Sequence, residues 1–245
     1  TSSGGYQLTV KAGKVKVTFG AGKSAVEAEA RIGSENAKID LVGASTLMSS
    51  VTLKLLKNVK SATLLGLNKL DLTGTKAAEK LTGNSGANKL DGGGGNDVLS
   101  GGAGNDSLSG GAGKDTLSGG AGKDKLNGGA GADKLTGGGG ADTFIFKSRG
   151  DSTVSSKGRD TIADFARAQG DRIDLSAIDA RTDRGGNQKF KFIDDAKFSG
   201  KAGELRHEKS GGNVLVLGDV DGDGKADFAI RVLKLTSLEA GDFVL

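Results

Sequence analysis

Six nine-residue units follow one another without a gap over residues 92–145, and this repeat constrains the fold more than any other feature of the chain. Every unit has glycine at positions 1, 2 and 4, aspartate at position 6 and a large apolar residue at position 8. A fixed period of this kind is the signature of a solenoid, whose units bury their apolar faces against their neighbours. A flexible glycine-rich linker would not carry a large apolar residue at every ninth position. We therefore predict an ordered parallel β-solenoid.

The residue types at each position predict the shape of one unit. Positions 7–9 should form a short strand with position 8 directed inward. The glycines should permit a tight turn with positive φ, which a Cβ would penalise. One strand and one turn make half a coil, so alternate units, eighteen residues apart, should stack on each other. The inward residues are Leu99, Leu108, Leu117, Leu126, Leu135 and Phe144.

The turns carry the candidate metal ligands. Each turn should aim its aspartate carboxylate and the backbone carbonyls of positions 1 and 3 at one point, and each aspartate should share its ion with the unit eighteen residues away. Oxygen ligands suit Ca²⁺, which takes about six to eight of them. Several Ca²⁺ ions are therefore expected. The candidate ligands are Gly92, Gly94, Asp97, Gly101, Ala103, Asp106, Gly110, Ala112, Asp115, Gly119, Ala121, Asp124, Gly128, Ala130, Asp133, Gly137, Gly139 and Asp142.

The apolar ladder continues upstream of the intact units. Leu72, Leu81 and Leu90 keep the nine-residue spacing, but their turns are degraded: residues 74–79 keep one glycine, and residues 83–88 have Asn88 where aspartate belongs. We interpret residues 72–91 as degenerate coils of the same solenoid that bind calcium weakly or not at all.

A second calcium candidate lies near the C-terminus. Asp219, Asp221 and Asp223 follow the DxDxDG opening of an EF-hand loop, which directs three carboxylates at one ion. The closing glutamate at position 12 is replaced by Ile230, and Asp227 at position 9 is the candidate that completes the site. The alternative is an acidic turn between strands at 214–217 and 228–232.

Residues 1–71 are richer in β-branched and apolar residues, and their alternating pattern predicts strands. A short helix is predicted over 24–31, with Ser24 as N-cap and Glu27 three residues later. This β-rich segment should cap the first coil. The predicted strands are 7–10, 14–19, 39–42, 51–55 and 62–65.

The residues after the repeats carry a specific family resemblance. They contain in order the segments ADTFIF, DST, DTIADF, GDRIDLS, FSGKAGELR and GDVDGDGKADF. This order is similar to the C-terminal domain of serralysin-type secreted metalloproteases and to the tails of other RTX proteins of Gram-negative bacteria, including rhizobia. The likeness covers residues 83–245, and the nonapeptide is that of RTX proteins. It implies a secreted protein whose residues 147–245 continue the roll as a β-sandwich-like extension.

Two features of the chain bear on this resemblance. The last residues, 241–245, resemble the uncleaved signal of type I secretion substrates, although they would also fit the end of a strand. The family is usually acidic, whereas this chain has a net charge of +4 and carries Lys114 and Lys123 where asparagine is common. Position 5 supplies no carboxylate, so we expect the sites to survive.

The chain lacks recognisable catalytic motifs. There is no cysteine, so disulfides and thiolate metal sites are excluded, and no GxSxG or P-loop motif occurs. His207 is the only histidine, so the HExxH zinc helix of serralysin proteases is absent, and we expect a surface strand residue there. No apolar run approaches the ~20 residues that span a bilayer. We therefore expect neither an enzyme nor a transmembrane protein.

Charge and composition bear on partners. Residues 1–82 carry twelve basic and six acidic side chains, which would suit an anionic polysaccharide or cell surface; a solvated lysine surface is the alternative. Aromatic residues are about 4% and fall at core-like positions, so no nucleic-acid partner is expected.

Together these patterns predict an all-β chain in three segments: a β-rich cap at 1–71, a parallel β-roll at 72–146 and a serralysin-like domain at 147–245. The predicted function is a calcium-binding RTX domain that leaves the cell through a type I exporter and folds on Ca²⁺ binding outside. Two alternatives stay open. One is a surface or exopolysaccharide-binding module, and the other is the non-catalytic part of a secreted hydrolase or lyase.

Overall fold

A computed structural model describes residues 6–8, 13–19, 25–32, 37–42 and 45–245. Within them the chain forms 23 strands and two short 3₁₀ turns and no α-helix, which confirms the predicted all-β class. The strands are β1 Tyr6–Leu8, β2 Gly13–Phe19, β3 Val26–Ile32, β4 Ala37–Val42, β5 Thr46–Ser49, β6 Thr52–Lys57, β7 Ser61–Leu64, β8 Asp71–Thr73, β9 Lys80–Thr82, β10 Lys89–Gly94, β11 Val98–Ala103, β12 Ser107–Ala112, β13 Thr116–Ala121, β14 Lys125–Ala130, β15 Lys134–Gly139, β16 Thr143–Ile145, β17 Thr161–Ile162, β18 Arg172–Asp174, β19 Lys191–Phe192, β20 Glu204–Ser210, β21 Asn213–Asp219, β22 Phe228–Val232 and β23 Phe243–Val244. The 3₁₀ turns are Arg167–Gln169 and Ala240–Asp242.

The strands form two sheets that share one core. Sheet 1 has the order β1-β4-β5-β7-β9-β11-β13-β15-β17-β22-β21-β20-β19, and sheet 2 has the order β2-β3-β6-β8-β10-β12-β14-β16-β18-β23. From β5 to β18 the chain enters the two sheets alternately, strand by strand. Each pair of strands therefore makes one coil, which is the topology of a parallel β-roll.

The register of the roll follows the repeat. Leu99 of β11 pairs with Leu117 of β13, and Leu108 of β12 pairs with Leu126 of β14, each eighteen residues apart. This confirms that alternate units stack. The position-8 side chains of all six units are at most 1% exposed. Burying one leucine in this way stabilises the fold by roughly 1.5–3 kcal/mol relative to leaving it exposed, before the entropy of ordering the chain is subtracted.

The strands are longer than the three residues that the repeat predicts. β11 to β15 each cover six residues, from position 7 of one unit to position 3 of the next. The glycine at position 1 is buried beside the position-8 leucine, so the parallel ladder continues across the unit boundary.

The degenerate coils belong to the same solenoid, as predicted. Leu72 pairs with Leu90, and Leu81 pairs with Leu99, and all these side chains are buried. The ladder also continues further upstream, where Leu53 pairs with Leu72 at a spacing of nineteen residues.

The N-terminal strands add antiparallel pairs to the start of each sheet. β2, β3 and β6 pair in this way in sheet 2, and β1, β4 and β5 do so in sheet 1. The five strands predicted over residues 1–71 overlap β1, β2, β4, β6 and β7, and residues 9 and 10 lie outside the described residues.

The helix predicted over 24–31 is wrong. Val26–Ile32 is a strand in which Ala28 and Ala30 are buried and the intervening side chains are half-buried, the two-residue period of a sheet. Pairing with β2 and β6 on both sides overrides the local capping signal, because it satisfies every backbone group that a helix would. Ser24 lies outside the described residues.

The C-terminal part extends the same two sheets. β17 and β22 continue sheet 1 in parallel, and β18 and β23 continue sheet 2, while β20, β21 and β22 form an antiparallel meander. The terminal strand Phe243–Val244 is therefore part of the folded sheet. Both sheets cross the predicted boundaries at 71/72 and 146/147 without a break, and the division into three segments stays a prediction. No helix among the described residues is long and apolar enough to cross a membrane.

Candidate metal centre

The turn glycines serve two different purposes. At positions 2 and 4 every glycine has positive φ, from 91° at Gly93 to 149° at Gly131, a region that a Cβ disfavours. At position 1 the φ is ordinary, contrary to the prediction that all three glycines need positive φ. The reason for glycine there is space. A Cβ on Gly92 would overlap Asp97 Oδ2 and lie 2.6 Å from the carbonyl oxygen of Gly110 in the next coil.

The repeat aspartates link successive coils through their backbones. The N–H of Asp97 donates to Oδ1 of Asp115 at 2.7 Å, and the N–H of Asp115 donates to Oδ1 of Asp133 at the same distance. The other side of the roll has the same bonds from Asp106 to Asp124 and from Asp124 to Asp142, at 2.7 and 2.9 Å. One oxygen of each carboxylate therefore accepts a hydrogen bond from the backbone of the preceding coil. The aspartates form two ladders parallel to the solenoid axis.

The second oxygen of each ladder aspartate has no partner among the described residues. Oδ2 is buried in all six units and in Asp160, and it accepts no hydrogen bond. Each of these side chains is at most 2% exposed. A buried carboxylate oxygen without a donor is costly, so the arrangement calls for a cation. The position-1 carbonyl of the next coil faces the same space. The groups that face this space are therefore all oxygen atoms, which are the ligands that a hard cation such as Ca²⁺ prefers.

The position-3 carbonyls, also predicted ligands, are partly engaged. The carbonyl of Ala130 accepts the N–H of Gly113 at 2.8 Å, and that of Gly139 accepts the N–H of Gly122 at 2.7 Å. A carbonyl oxygen has a second lone pair, so these bonds leave one for an ion. The ligand roles of position 3 stay predictions.

Burial shifts the titration of the ladder. It raises the pKa of Asp97, Asp124, Asp133 and Asp142 to about 6, against the opposing effect of the backbone N–H that each accepts. It also raises the pKa of Asp106 and Asp115. Without a cation, burial in the folded roll therefore favours the protonated, neutral form of these carboxyl groups.

Both ladders continue beyond the repeats, which sequence reasoning missed. Asp133 donates its N–H to Oδ1 of Asp160 at 2.9 Å, and Asp142 donates to Oδ1 of Asp171 at 2.9 Å. Asp164 accepts the N–H groups of Gly137 and Gly138. Burial raises the pKa of Asp160 to about 8 and also raises that of Asp171.

A signal for these residues was present in the sequence. Asp160-Thr161-Ile162 and Asp171-Arg172-Ile173 keep the aspartate and apolar residue of positions 6 and 8 without the glycines. The coil length changes to 27 and 29 residues there, so a search at a fixed spacing of eighteen passes over them.

At the upstream end the ladder residues are satisfied internally. Glu79 accepts the backbone N–H and the hydroxyl of Thr75. Asn88 accepts the N–H of Asn84 at 2.8 Å and donates its Nδ2 to the carbonyl of Leu70 at 2.9 Å. These two side chains have no unpartnered buried oxygen. The weak or absent calcium binding of the degenerate coils stays a prediction.

The loop after β21 brings three of its four predicted ligands together. Oxygens of Asp219, Asp221 and Asp227 lie within 4.8 Å of one another. Asp223 is not in this group, because it accepts the N–H of Lys225 at 2.8 Å and pairs with its ammonium at 3.2 Å, which lowers the pKa of Asp223. Its ligand role stays a prediction, as do those of the other three.

His207 is not the surface residue that the sequence suggested. It is 3% exposed in β20, its ring stacks on Phe192 with centroids 6.0 Å apart, and Nδ1 lies 3.3 Å from Asp194 Oδ1. The strand alternation turns it into the core formed with β19. It joins no cluster of metal-ligating side chains in the described part of the chain.

Comparison with known proteins agrees with this geometry. The profile of the family described as peptidase M10 serralysin C terminal matches residues 66–245. The chain belongs to this family. The match starts just before the degenerate coils and includes both ladders and the C-terminal strand of this serralysin C-terminal domain.

The chain is also similar to chains of solved structures. In all, 38 chains of solved structures match. The AlgE6R3 subunit from the Azotobacter vinelandii mannuronan C5-epimerase is 28% identical over 74% of this chain and 80% of its own, with a TM-score of 0.39. The AlgE6R2 subunit is 26% identical over 73% of this chain and 92% of its own, also with a TM-score of 0.39. No curated protein matches.

The position-1 glycine can be tested by a pair of glycine-to-alanine changes in this serralysin C-terminal domain. Gly119→Ala should destabilise the roll by roughly 1–3 kcal/mol, because its Cβ would overlap Asp124 Oδ2 and lie 2.7 Å from the Gly137 carbonyl. Gly139→Ala is the control, since nothing lies within 4 Å of its Cβ. Thermal unfolding measures both, and equal midpoints would contradict the assigned role of position 1.

A second prediction concerns pH. The ladder carboxylates have folded pKa values above their ordinary value, so the metal-free folded state binds more protons than the unfolded state. Stability is then greatest below about pH 4 and falls as the pH rises through 6 and, for Asp160, through about 8. Dialysed, metal-free protein should show more β circular dichroism and a higher thermal midpoint at pH 5 than at pH 8.

The variant Asp160→Asn is the control for the upper part of this range. It should reduce the loss of stability between pH 6 and pH 8 and leave the loss near pH 6 in place. Metal-free stability that rises from pH 5 to pH 8 would contradict the burial of unpaired carboxylates.

Proposed function

We propose that this chain is a calcium-dependent folding module of a secreted protein. The observation that carries the proposal is the row of buried Oδ2 atoms, one from each repeat aspartate, that accept no hydrogen bond. All six carboxylates are at most 2% exposed, and those of Asp97, Asp106, Asp115 and Asp124 lie beside a backbone carbonyl of the next coil, an arrangement that suits a divalent cation. Their all-oxygen chemistry favours Ca²⁺ over the softer transition metals.

The residues that would hold the ions follow from the ladders. Oδ2 of each repeat aspartate would be the charged ligand, and the position-1 and position-3 carbonyls would be neutral ligands. Asp160, with the same unpartnered oxygen, would extend the row past the last repeat. Bound Ca²⁺ would supply the positive charge that the buried carboxylates lack.

Calcium binding would then be coupled to folding. Stacking the coils buries carboxylates that repel one another, as the mutual effects of Asp133, Asp115 and Asp160 on their pKa values indicate. The unfolded chain has no preformed site, so the free energy of ion binding contributes directly to folding. Low intracellular calcium would keep the chain unfolded for a type I exporter, and millimolar calcium outside would drive folding.

Secretion is supported by the family and by the C-terminal resemblance. The matched family is the C-terminal part of serralysins, and residues 241–245 resemble a type I secretion signal. In the folded chain these residues lie in β23 and the preceding 3₁₀ turn, where Asp242 pairs with Arg167 at 2.6 Å. A secretion receptor that recognises an extended signal would therefore have to bind these residues before the chain folds. A catalytic domain elsewhere in the parent protein would supply any hydrolase or lyase activity.

Substitution of one ladder aspartate tests the main proposal. Asp115→Asn keeps a side-chain oxygen for the backbone N–H of Asp97 but removes the charge. Because calcium affinity follows the number of ligand charges, the calcium midpoint for the gain of β circular dichroism should rise by at least roughly 10-fold. Asp195→Asn, at an exposed position, should leave the midpoint unchanged.

Ion counting completes this experiment. Wild-type protein should bind several ions and lose its folded spectrum in chelator. If the spectrum and the thermal midpoint respond to neither calcium nor chelator, the proposal fails.

We also propose one ion at the loop after β21. Asp219 is fully buried, and its two carboxylate oxygens accept hydrogen bonds from the backbone N–H groups of Gly222 and Gly224. These bonds shape the loop and leave one lone pair on each oxygen for an ion. Asp221 and Asp227 supply the nearest further carboxylate oxygens.

A matched pair of substitutions tests this ion. Asp221→Asn should lower the number of bound ions by one, because it removes a charge from the three-carboxylate group. Asp223→Asn, two residues away and paired with Lys225, should leave the number unchanged. Isothermal titration with ion counting measures both, and loss of an ion in the second variant alone would contradict the assignment.

A further inference from the structure

The outer faces of the two sheets differ in charge. The strands β7, β9, β11, β13, β15, β17 and β22 of sheet 1 contain no aspartate or glutamate. The equivalent strands of sheet 2 contain Asp71, Asp91 and Asp174 on their outward positions. The outer face of sheet 1 from β7 to β22 is therefore cationic or neutral, whereas that of the equivalent strands of sheet 2 is mixed.

Two rows of outward side chains run along this face of sheet 1. The position-7 row contains the cations Lys80, Lys134 and Arg231, and the position-9 row consists largely of hydroxyl side chains. Successive strands lie about 4.8 Å apart, so the rows present a polar group at every such step along the roll. The hydroxyl row contains Thr63, Thr82, Ser100, Ser118 and Thr136.

The cations converge on a cavity at the C-terminal end of this face. The cavity has a volume of about 320 Å³ and is lined by Lys114, Lys134, Arg159 and Arg231, with the loop residue Ser156 at its side. That volume is sufficient for a small ligand or one unit of a polymer. Asp133 is the only acid in the lining. Its Oδ1 accepts the N–H of Asp115, and its Oδ2 faces the turn beside Gly128.

These four cations have no acidic partner. None of them forms an ion pair with another described residue. Nε of Arg159 is buried without a hydrogen bond. Burial and the neighbouring charge of Arg231 both lower the pKa of Arg159. Two adjacent guanidinium groups without a carboxylate, one with an unused buried donor, are the arrangement that an oxyanion would complete.

We propose that this cavity binds a carboxylate or sulfate group of an acidic polysaccharide whose neighbouring sugar units lie along the hydroxyl row of sheet 1. The hydroxyl side chains would bond sugar hydroxyls, and the paired arginines would bind the charged group with their forked donors. The cavity lies outside the basic residues 1–82, for which the sequence predicted a polyanion partner, although the hydroxyl row begins within them at Thr63. It exists only when the roll is folded, so binding is tested in calcium.

A polysaccharide suits this face better than other polyanions do. No strand of sheet 1 from β7 to β17 contains an aromatic residue on which a nucleic-acid base could stack. On the same strands Val98 is the one exposed large apolar side chain, so the face offers no apolar anchor to a membrane.

The test compares the cations of the cavity with lysines on the outer face of sheet 2. Lys114→Gln with Lys134→Gln removes the two exposed lysines of the cavity, and Arg159→Gln with Arg231→Gln removes the two arginines. Lys89→Gln with Lys125→Gln is the matched control, since both lie at position 7 on sheet 2 and cause the same change in net charge. Binding of a short oligogalacturonate to the full calcium-loaded chain is measured by isothermal titration calorimetry.

Both cavity variants should weaken binding by roughly 10-fold or more, since each removes at least one charge-assisted hydrogen bond. The control should weaken it by less than about 2-fold at moderate salt. Neutral dextran should not bind. The calcium midpoint for folding should equal that of wild type in each variant, which separates a failure of this site from a failure of the calcium proposal. If the arginine variant does not fold, the lysine variant decides the test.

Three outcomes would overturn the proposal. The first is equal weakening by the sheet 2 control, which would mean attraction by net charge alone. The second is binding of inorganic sulfate as tightly as the oligosaccharide, which would mean an oxyanion site without a polymer ligand. The third is binding of single-stranded DNA or of anionic vesicles as tightly as the oligosaccharide, with the same dependence on the cavity residues.

Discussion

The structure depends on one hydrogen bond that recurs in every coil. The backbone N–H of each repeat aspartate donates to Oδ1 of the aspartate in the next coil, as from Asp97 to Asp115. This bond fixes the carboxylate at the turn, buries it and directs Oδ2 at the space beside the position-1 glycine. Stacking of the coils and the formation of a charged oxygen site are therefore the same event. Closing the solenoid therefore buries carboxylate oxygens that no protein group neutralises, which disfavours their charged form.

The two ends of the ladders differ in how the side chains at the ladder position are hydrogen-bonded. At the upstream end Glu79 and Asn88 occupy the ladder position, but their oxygens are used by Thr75 and Asn84 within the same turn. At the downstream end Asp160 and Asp171 keep the bond to the coil below although the coils there have 27 and 29 residues. The ladder oxygens of the first coils are thus satisfied by donors of their own turn, and the unpartnered buried carboxylate oxygens begin with the first intact repeat.

The surface of the roll is independent of this internal chemistry. The residues at positions 5, 7 and 9 lie largely on the outside and differ from unit to unit, so the two faces can differ while the turns stay alike. Sheet 2 combines lysines with acids, whereas the central strands of sheet 1 carry cations, hydroxyl groups and Val98 but no acid. A solenoid of this kind separates an interior of repeated geometry, which holds the coils together, from outer faces whose charge differs between the two sheets.

The nonapeptide determined by itself the β-roll, the two-unit coil, the inward leucines and the aspartates that form the ladders. These follow from local rules, because glycine conformation and apolar periodicity act within a few residues. Only the tertiary structure decided the rest. Pairing with neighbouring strands turned residues 26–32 into a strand despite a helix capping signal, and coils of 27 and 29 residues brought Asp160 and Asp171 into the ladders. Strand stacking likewise brought Lys114, Lys134, Arg159 and Arg231 together across more than a hundred residues. Such groupings depend on which strands become neighbours. The repeat spacing predicts the neighbouring strands only within the repeats, so it does not predict the groupings that lie beyond them.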